Sequence, residues 1–130
     1  SISEQPVKVY TDIEKSKSDK FDCQIRILKN GLKALLVSDP EAERSSASLG
    51  VNVGSFIDLP DELGLAHFCE HLLFMGTEKY PSESEYKNYL SKNGGKSNAF
   101  TSGDKTVYFF QCESFIPKTY RIWLNARLKL

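Results

Sequence analysis

Leu63-Gly64-Leu65-Ala66-His67-Phe68-Cys69-Glu70-His71-Leu72-Leu73-Phe74-Met75 reads as a helix set between two groups of β-prone runs, and that placement decides the fold. The predicted helix spans about residues 63–75. It holds both of the chain's histidines. His67 and His71 are four residues apart and Glu70 lies three after the first, so all three side chains emerge on one helical face. From residue 63 to residue 77, Glu70 is the only formally charged side chain when the histidines are neutral. Leu65, Ala66, Phe68, Cys69, Leu72, Leu73 and Phe74 take most other directions, which predicts a helix buried on nearly every side.

Working outward, short β-prone runs at 24–28 and 33–37 flank Asn30-Gly31, a dipeptide favoured in two-residue hairpin turns, and should pair as antiparallel strands. Residues 39–45 form a polar loop. Leu49, Val51 and Val53 then alternate with Ser48, Gly50 and Asn52, the period of a half-buried third strand. Residues 58–62, broken by Pro60, lead into the histidine helix. After a connecting loop at 76–81, Ser82-x-x-Glu85 reads as a capping box opening a second helix. Tyr86, Tyr89 and Leu90 share one face of it, and Asn93-Gly94-Gly95 ends it. Residues 97–101 and 106–112 suggest another hairpin around 102–105. Strands, then helices, then strands predict an α+β fold, a mainly antiparallel sheet with helices packed on one face. Residues 1–20 are polar and mixed in charge, which predicts a flexible or loosely docked arm, so the fold should start near Phe21.

The chemistry explains the residue types at 67, 70 and 71. Two neutral imidazoles at i and i+4 can each direct a nitrogen at one ion about 2.0–2.1 Å away, holding a zinc with positions left open. Zinc lowers the proton affinity of water, and a carboxylate within hydrogen-bond reach can take that proton during attack on a peptide carbonyl. Glu70 is placed to be that base. The order reverses the commoner His-Glu-x-x-His arrangement and matches the inverzincin signature. The alternative, two satisfied core histidines and a carboxylate capping a backbone group, is less favoured because a lone carboxylate on an apolar helix is costly to desolvate. Cys69 falls on roughly the opposite helical face and reads as a buried structural thiol rather than a metal ligand.

Composition sets the outer bounds. With 130 residues, 40% hydrophobic content and 17 basic against 17 acidic side chains, the chain fits one globular domain with a sizeable core. It has no charge bias toward nucleic acid or an anionic membrane. No window approaches a membrane span or a secretory signal, so stable membrane insertion is not expected. Cys23, Cys69 and Cys112 are odd in number and widely spaced, which argues against a disulfide framework and for a reducing setting such as the cytosol.

These residues carry a resemblance. The stretch from Gly64 through Thr77, followed by Lys79-Tyr80-Pro81 and later by Ser97-Asn98-Ala99-Phe100-Thr101-Ser102-Gly103, resembles the N-terminal region of the pitrilysin-type inverzincin metallopeptidases, the insulysin group among them. The likeness runs in order from about Phe21 to Phe110. It implies His67 and His71 as zinc ligands, Glu70 as catalytic base and Zn2+ as cofactor. It implies peptide substrates, and a cytosolic location with mitochondrial or peroxisomal forms among longer members. Asn98, Ala99 and Phe100 would lie on an edge strand whose backbone pairs with an extended peptide, a mode that depends little on sequence. Read without the resemblance, residues 97–101 are an ordinary strand with Phe100 in the core.

The departures from the family pattern are specific. The family's third zinc ligand is a glutamate on a later helix, but the last acidic residue here is Glu113, which directly follows the last predicted strand. The family also encloses substrate between two large halves, of which this stretch supplies the beginning of the first. After Gln111 the likeness fades. Residues 113–130 form a basic tail in which Pro117 could open a helix with Tyr120, Trp123, Leu124 and Leu128 near one face. Two readings follow: the N-terminal catalytic segment of a zinc metalloendopeptidase acting on extended or unfolded peptides, or a catalytically incompetent short form that binds peptide or associates with other chains of the family.

Overall fold

The computed structural model describes residues 7–113. The predicted tail helix lies outside them. The described residues fall into two compact units, divided between Ala42 and Glu43.

The first unit is a three-stranded antiparallel sheet in the order β1-β2-β3, with β1 at Lys8–Tyr10, β2 at Asp22–Ile27 and β3 at Lys33–Ser38. The predicted hairpin is present, with Ile25 opposite Leu35. Its turn differs from the two-residue type. The Leu28 N–H donates to the Leu32 carbonyl at 2.9 Å, closing a loop of Lys29, Asn30 and Gly31. Gly31 alone takes a left-handed conformation, at φ 83°, so the connection is a turn followed by a glycine bulge. The Asn30 side chain accepts the Leu32 N–H at 3.0 Å and fixes the exit. Within the arm expected over 1–20, Lys8–Tyr10 pairs with Ile25–Ile27 on β2, so the ordered strands begin before Phe21. Backbone pairing to an open strand edge requires no apolar side-chain pattern, which is why composition gave no sign of it.

The second unit carries the helices. Its sheet has the order β4-β6-β5, with β4 at Arg44–Val51, β5 at Lys96–Thr101 and β6 at Thr106–Glu113, all antiparallel. The antiparallel α+β class therefore holds, with the strands divided between two sheets. Central β6 alternates strictly: Thr106, Tyr108, Phe110 and Cys112 are buried and the residues between them are not. That period of two puts four side chains on one face. Helix α1, Leu65–Leu72, and helix α2, Glu85–Lys92, cover it. Leu90 joins Tyr108, Phe110 and Cys112 in the core, with Ala47, Leu49, Leu73, Phe74, Tyr86 and Ala99 packed against them. The Phe74 ring lies 6.1 Å from both the Tyr86 and Tyr108 rings, within the range of favourable aromatic pairs.

Three local expectations change. The predicted capping box does not form. Helix α2 begins at Glu85 after Ser84 and has no side-chain cap bond, so Ser82 stands outside it. Helix α1 is shorter than 63–75 because its last turn tightens: the Phe74 and Met75 N–H groups reach carbonyls three residues back, and Gly76 follows at φ 49°. Nor is α1 buried on nearly every side. Phe68 is 58% exposed, Leu72 is 48% exposed and Cys69 is exposed rather than buried. Among the described residues, α1 packs chiefly against β5, β6 and a 3-10 turn at Ser55–Ile57.

Candidate zinc and peptide site

The N-terminus of α1 is anchored from outside the helix. Gly64 precedes it in a left-handed conformation, φ 91°, and offers no capping side chain. The two carboxylate oxygens of Asp58 accept the Gly64 and Ala66 N–H groups, each at 2.9 Å. These are donors that the helix itself leaves unpaired, and a negative charge there also complements the helix dipole. This anchor fixes the turn that carries His67.

The three candidate residues converge as their spacing predicts. His67 Nε2 and His71 Nε2 lie 3.0 Å apart, with the rings nearly perpendicular at 87°. Two tetrahedral zinc bonds of about 2.0–2.1 Å would set two nitrogens about 3.3 Å apart. The pair therefore fits one ion after a shift of a few tenths of an ångström. His67 Nδ1 lies 3.7 Å from Glu70 Oε2, inside ion-pair range and outside hydrogen-bond range. A metal-bound histidine commonly turns its second nitrogen toward such a carboxylate. Among the described residues no third His, Cys, Asp or Glu completes a metal-binding group with them. Glu113 ends β6, and its carboxylate lies against Gly94.

Glu70 is 5% exposed, the only buried residue of α1. Its Oε2 accepts a hydrogen bond from Thr101 Oγ1 at 2.6 Å. Thr101 is the last residue of β5, so the carboxylate is tied to the same strand that holds the other candidates. The partners of Asp58 and Thr101 in α1, Ala66 and Glu70, lie eight and 31 residues away. No local spacing signals either pairing.

Asn98, Ala99 and Phe100 lie on β5, which is an edge of the described sheet. The phase of the ladder decides which main-chain groups are open. Ser102 N–H donates to Lys105 O at 2.8 Å, and the register continues as Phe100 opposite Val107 and Asn98 opposite Phe109. Hydrogen-bonded and non-bonded pairs alternate, so the main-chain groups of Asn98 and Phe100 face β6, while those of Ser97, Ala99 and Thr101 face the open edge. Of the three residues expected to offer their backbone to a peptide, only Ala99 does so, and the expectation for Asn98 and Phe100 is corrected. The Ala99 N–H is met there by the Asn98 side-chain oxygen at 2.9 Å. Phe100 is 46% exposed, so the reading that places it in the core is corrected. Its position on β5 points it away from the face that packs against the helices.

The family model described as Insulinase (Peptidase family M16) matches residues 33–118. That match runs past Gln111, where the sequence reading saw the likeness fade. The chain is 52% identical over 103 residues to the insulin-degrading enzyme of Homo sapiens, covering 79% of this chain and 10% of that protein. It is 54% identical over 100 residues to the A-factor-processing enzyme of Saccharomyces cerevisiae, covering 77% of this chain and 10% of that one. The crystal structure of pitrilysin superposes with a TM-score of 0.77 at 40% identity, covering 84% of this chain and 11% of that chain. This chain thus spans about a tenth of the length of the curated relatives it matches.

Proposed function

We propose that this chain, which belongs to the insulinase family of peptidases (family M16), is the segment of a zinc metalloendopeptidase that supplies two metal ligands, the general base and a docking edge for peptide. The observation that carries this reading is the convergence of His67 Nε2 and His71 Nε2 at 3.0 Å beside the buried carboxylate of Glu70. When bound, zinc would act as a Lewis acid that brings the pKa of water down to about 7. His67 and His71 would hold it. Glu70 takes the proton from the attacking water and later returns it to the leaving amine. An extended peptide adds to β5 by pairing with the main-chain groups of Ser97, Ala99 and Thr101, which favours unfolded substrates over folded ones. The unpaired thiols of Cys23, Cys69 and Cys112 suit a reducing compartment such as the cytosol.

A second reading rests on the incomplete ligand set. With two histidines and no third acidic or sulfur ligand among the described residues, metal would bind weakly, and the chain would act by binding peptide or by associating with a longer chain of the family. Hydrolysis of an internally quenched extended peptide separates the two. The peptidase reading expects cleavage that a chelator abolishes and that is lost in Glu70→Gln at unchanged zinc content. Peptide binding without any cleavage in the zinc-loaded protein favours the second.

A further inference from the structure

We infer that Thr101 is a positioning residue that ties the catalytic carboxylate to the strand on which the peptide docks; this rests on the peptidase reading above. A hydroxyl has one proton to donate. That of Thr101 goes to Glu70 Oε2 at 2.6 Å, at the short end of the range for O–H···O bonds. Thr106 Oγ1 lies 3.5 Å from Thr101 Oγ1, and its own proton goes to the Val53 carbonyl at 2.8 Å. Thr106 therefore does not compete for the carboxylate.

Two features of Thr101 meet in one residue. Its side chain reaches the buried carboxylate from the helix-covered face, and its main-chain groups, opposite Thr106 in a non-bonded pair, face the open edge of β5. A peptide that adds to this edge is held by the same residue that holds the base. Anchoring Oε2 restricts the Glu70 side chain to one orientation and leaves Oε1 to receive a proton. Docking register and base position are then set by one strand, rather than by two elements that can drift apart. General-base catalysis contributes about 10²–10⁴-fold, and misplacement by about 1 Å can forfeit about 10²-fold of rate.

The test compares Thr101→Val, which keeps the branched shape and removes the hydroxyl, with Thr101→Ser, which keeps the hydroxyl. In the zinc-loaded protein, Thr101→Val is expected to lower kcat by about tenfold to hundredfold with KM within about threefold of wild type. Thr101→Ser is expected to restore most of the lost rate. Wild-type kcat in a folded Thr101→Val overturns the inference, as does an equal loss in both variants, which would assign the effect to packing of the methyl group. A second readout does not need activity: the side-chain carboxyl 13C resonance of Glu70, compared among the wild type and both variants. The carboxyl environment should change in Thr101→Val and be retained in Thr101→Ser. If the wild type cleaves nothing, the peptidase reading fails and this resonance decides the positioning claim alone. An unchanged resonance in Thr101→Val refutes it.

Discussion

Asp58→Ala should release the start of the histidine helix, and the size of the effect follows from two bonds. Asp58 accepts the Gly64 and Ala66 N–H groups at 2.9 Å each, and Gly64 supplies no cap of its own. Losing one capping side chain typically costs about 1 kcal/mol. Here two donors lose a charged acceptor at once, in a site that is half-buried, which raises the expected loss to about 2 kcal/mol. Asp58→Asn keeps one acceptor oxygen and turns an amide N–H toward the second donor, so at least half of that loss should remain. Urea unfolding measures both differences, and in a thermal melt about 2 kcal/mol corresponds to roughly 4–16 °C for a chain between the small- and medium-domain size ranges. His67 sits in the first turn that Asp58 anchors, so zinc affinity should fall in the same order as stability: wild type, Asn, Ala. An Asp58→Ala protein within about 0.5 kcal/mol of wild type would refute the reasoning, because it would show these two bonds to be replaced by water at no net cost.

Asn98→Ala removes the side-chain oxygen that meets the open Ala99 N–H, so an extended peptide no longer displaces it; fluorescence anisotropy should show binding tighter by roughly two- to fivefold, in line with about 0.5–1 kcal/mol for one hydrogen bond. Weaker binding would instead make that amide a direct contact to the peptide. A maleimide added to the native protein should label exposed Cys69 well before Cys112, which is 1% exposed, as read by mass spectrometry of timed digests. Equal rates at the two positions would contradict the burial described for β6.

The sequence made legible what is local and periodic. His67, Glu70 and His71 converge because a helical repeat brings i, i+3 and i+4 together whatever surrounds them. The hairpin of β5 and β6 was legible for the same reason: two β-prone runs and the four-residue connection between them need only neighbouring residues. Which residues of β6 are buried was not legible, because Val107, Tyr108, Phe109 and Phe110 are apolar in succession. Pairings between distant segments were not legible. β4 lies beside β6, with Ala47 opposite Phe110, and no feature of either strand announces that partner. Lys8–Tyr10 pairs through its backbone and so leaves no side-chain pattern. The Asp58 and Thr101 contacts to α1 join a loop and a strand end to the helix, and both residue types are common at such places without any partner of this kind. Exposure of Phe68 and Leu72 went against the apolar pattern because periodicity reports which faces can be buried, not how many packing partners arrive. A side chain's own composition also misled at Ser82, where a capping box was present in sequence while the helix began three residues later at Glu85.

The most direct test of the central claim is a zinc competition titration of the purified protein beside His67→Ala and His71→Ala. One zinc per chain is expected, bound by the pair whose nitrogens lie 3.0 Å apart and lost in either variant while the fold, read by circular dichroism, is kept. Zinc bound with unchanged affinity and stoichiometry in His71→Ala would contradict it.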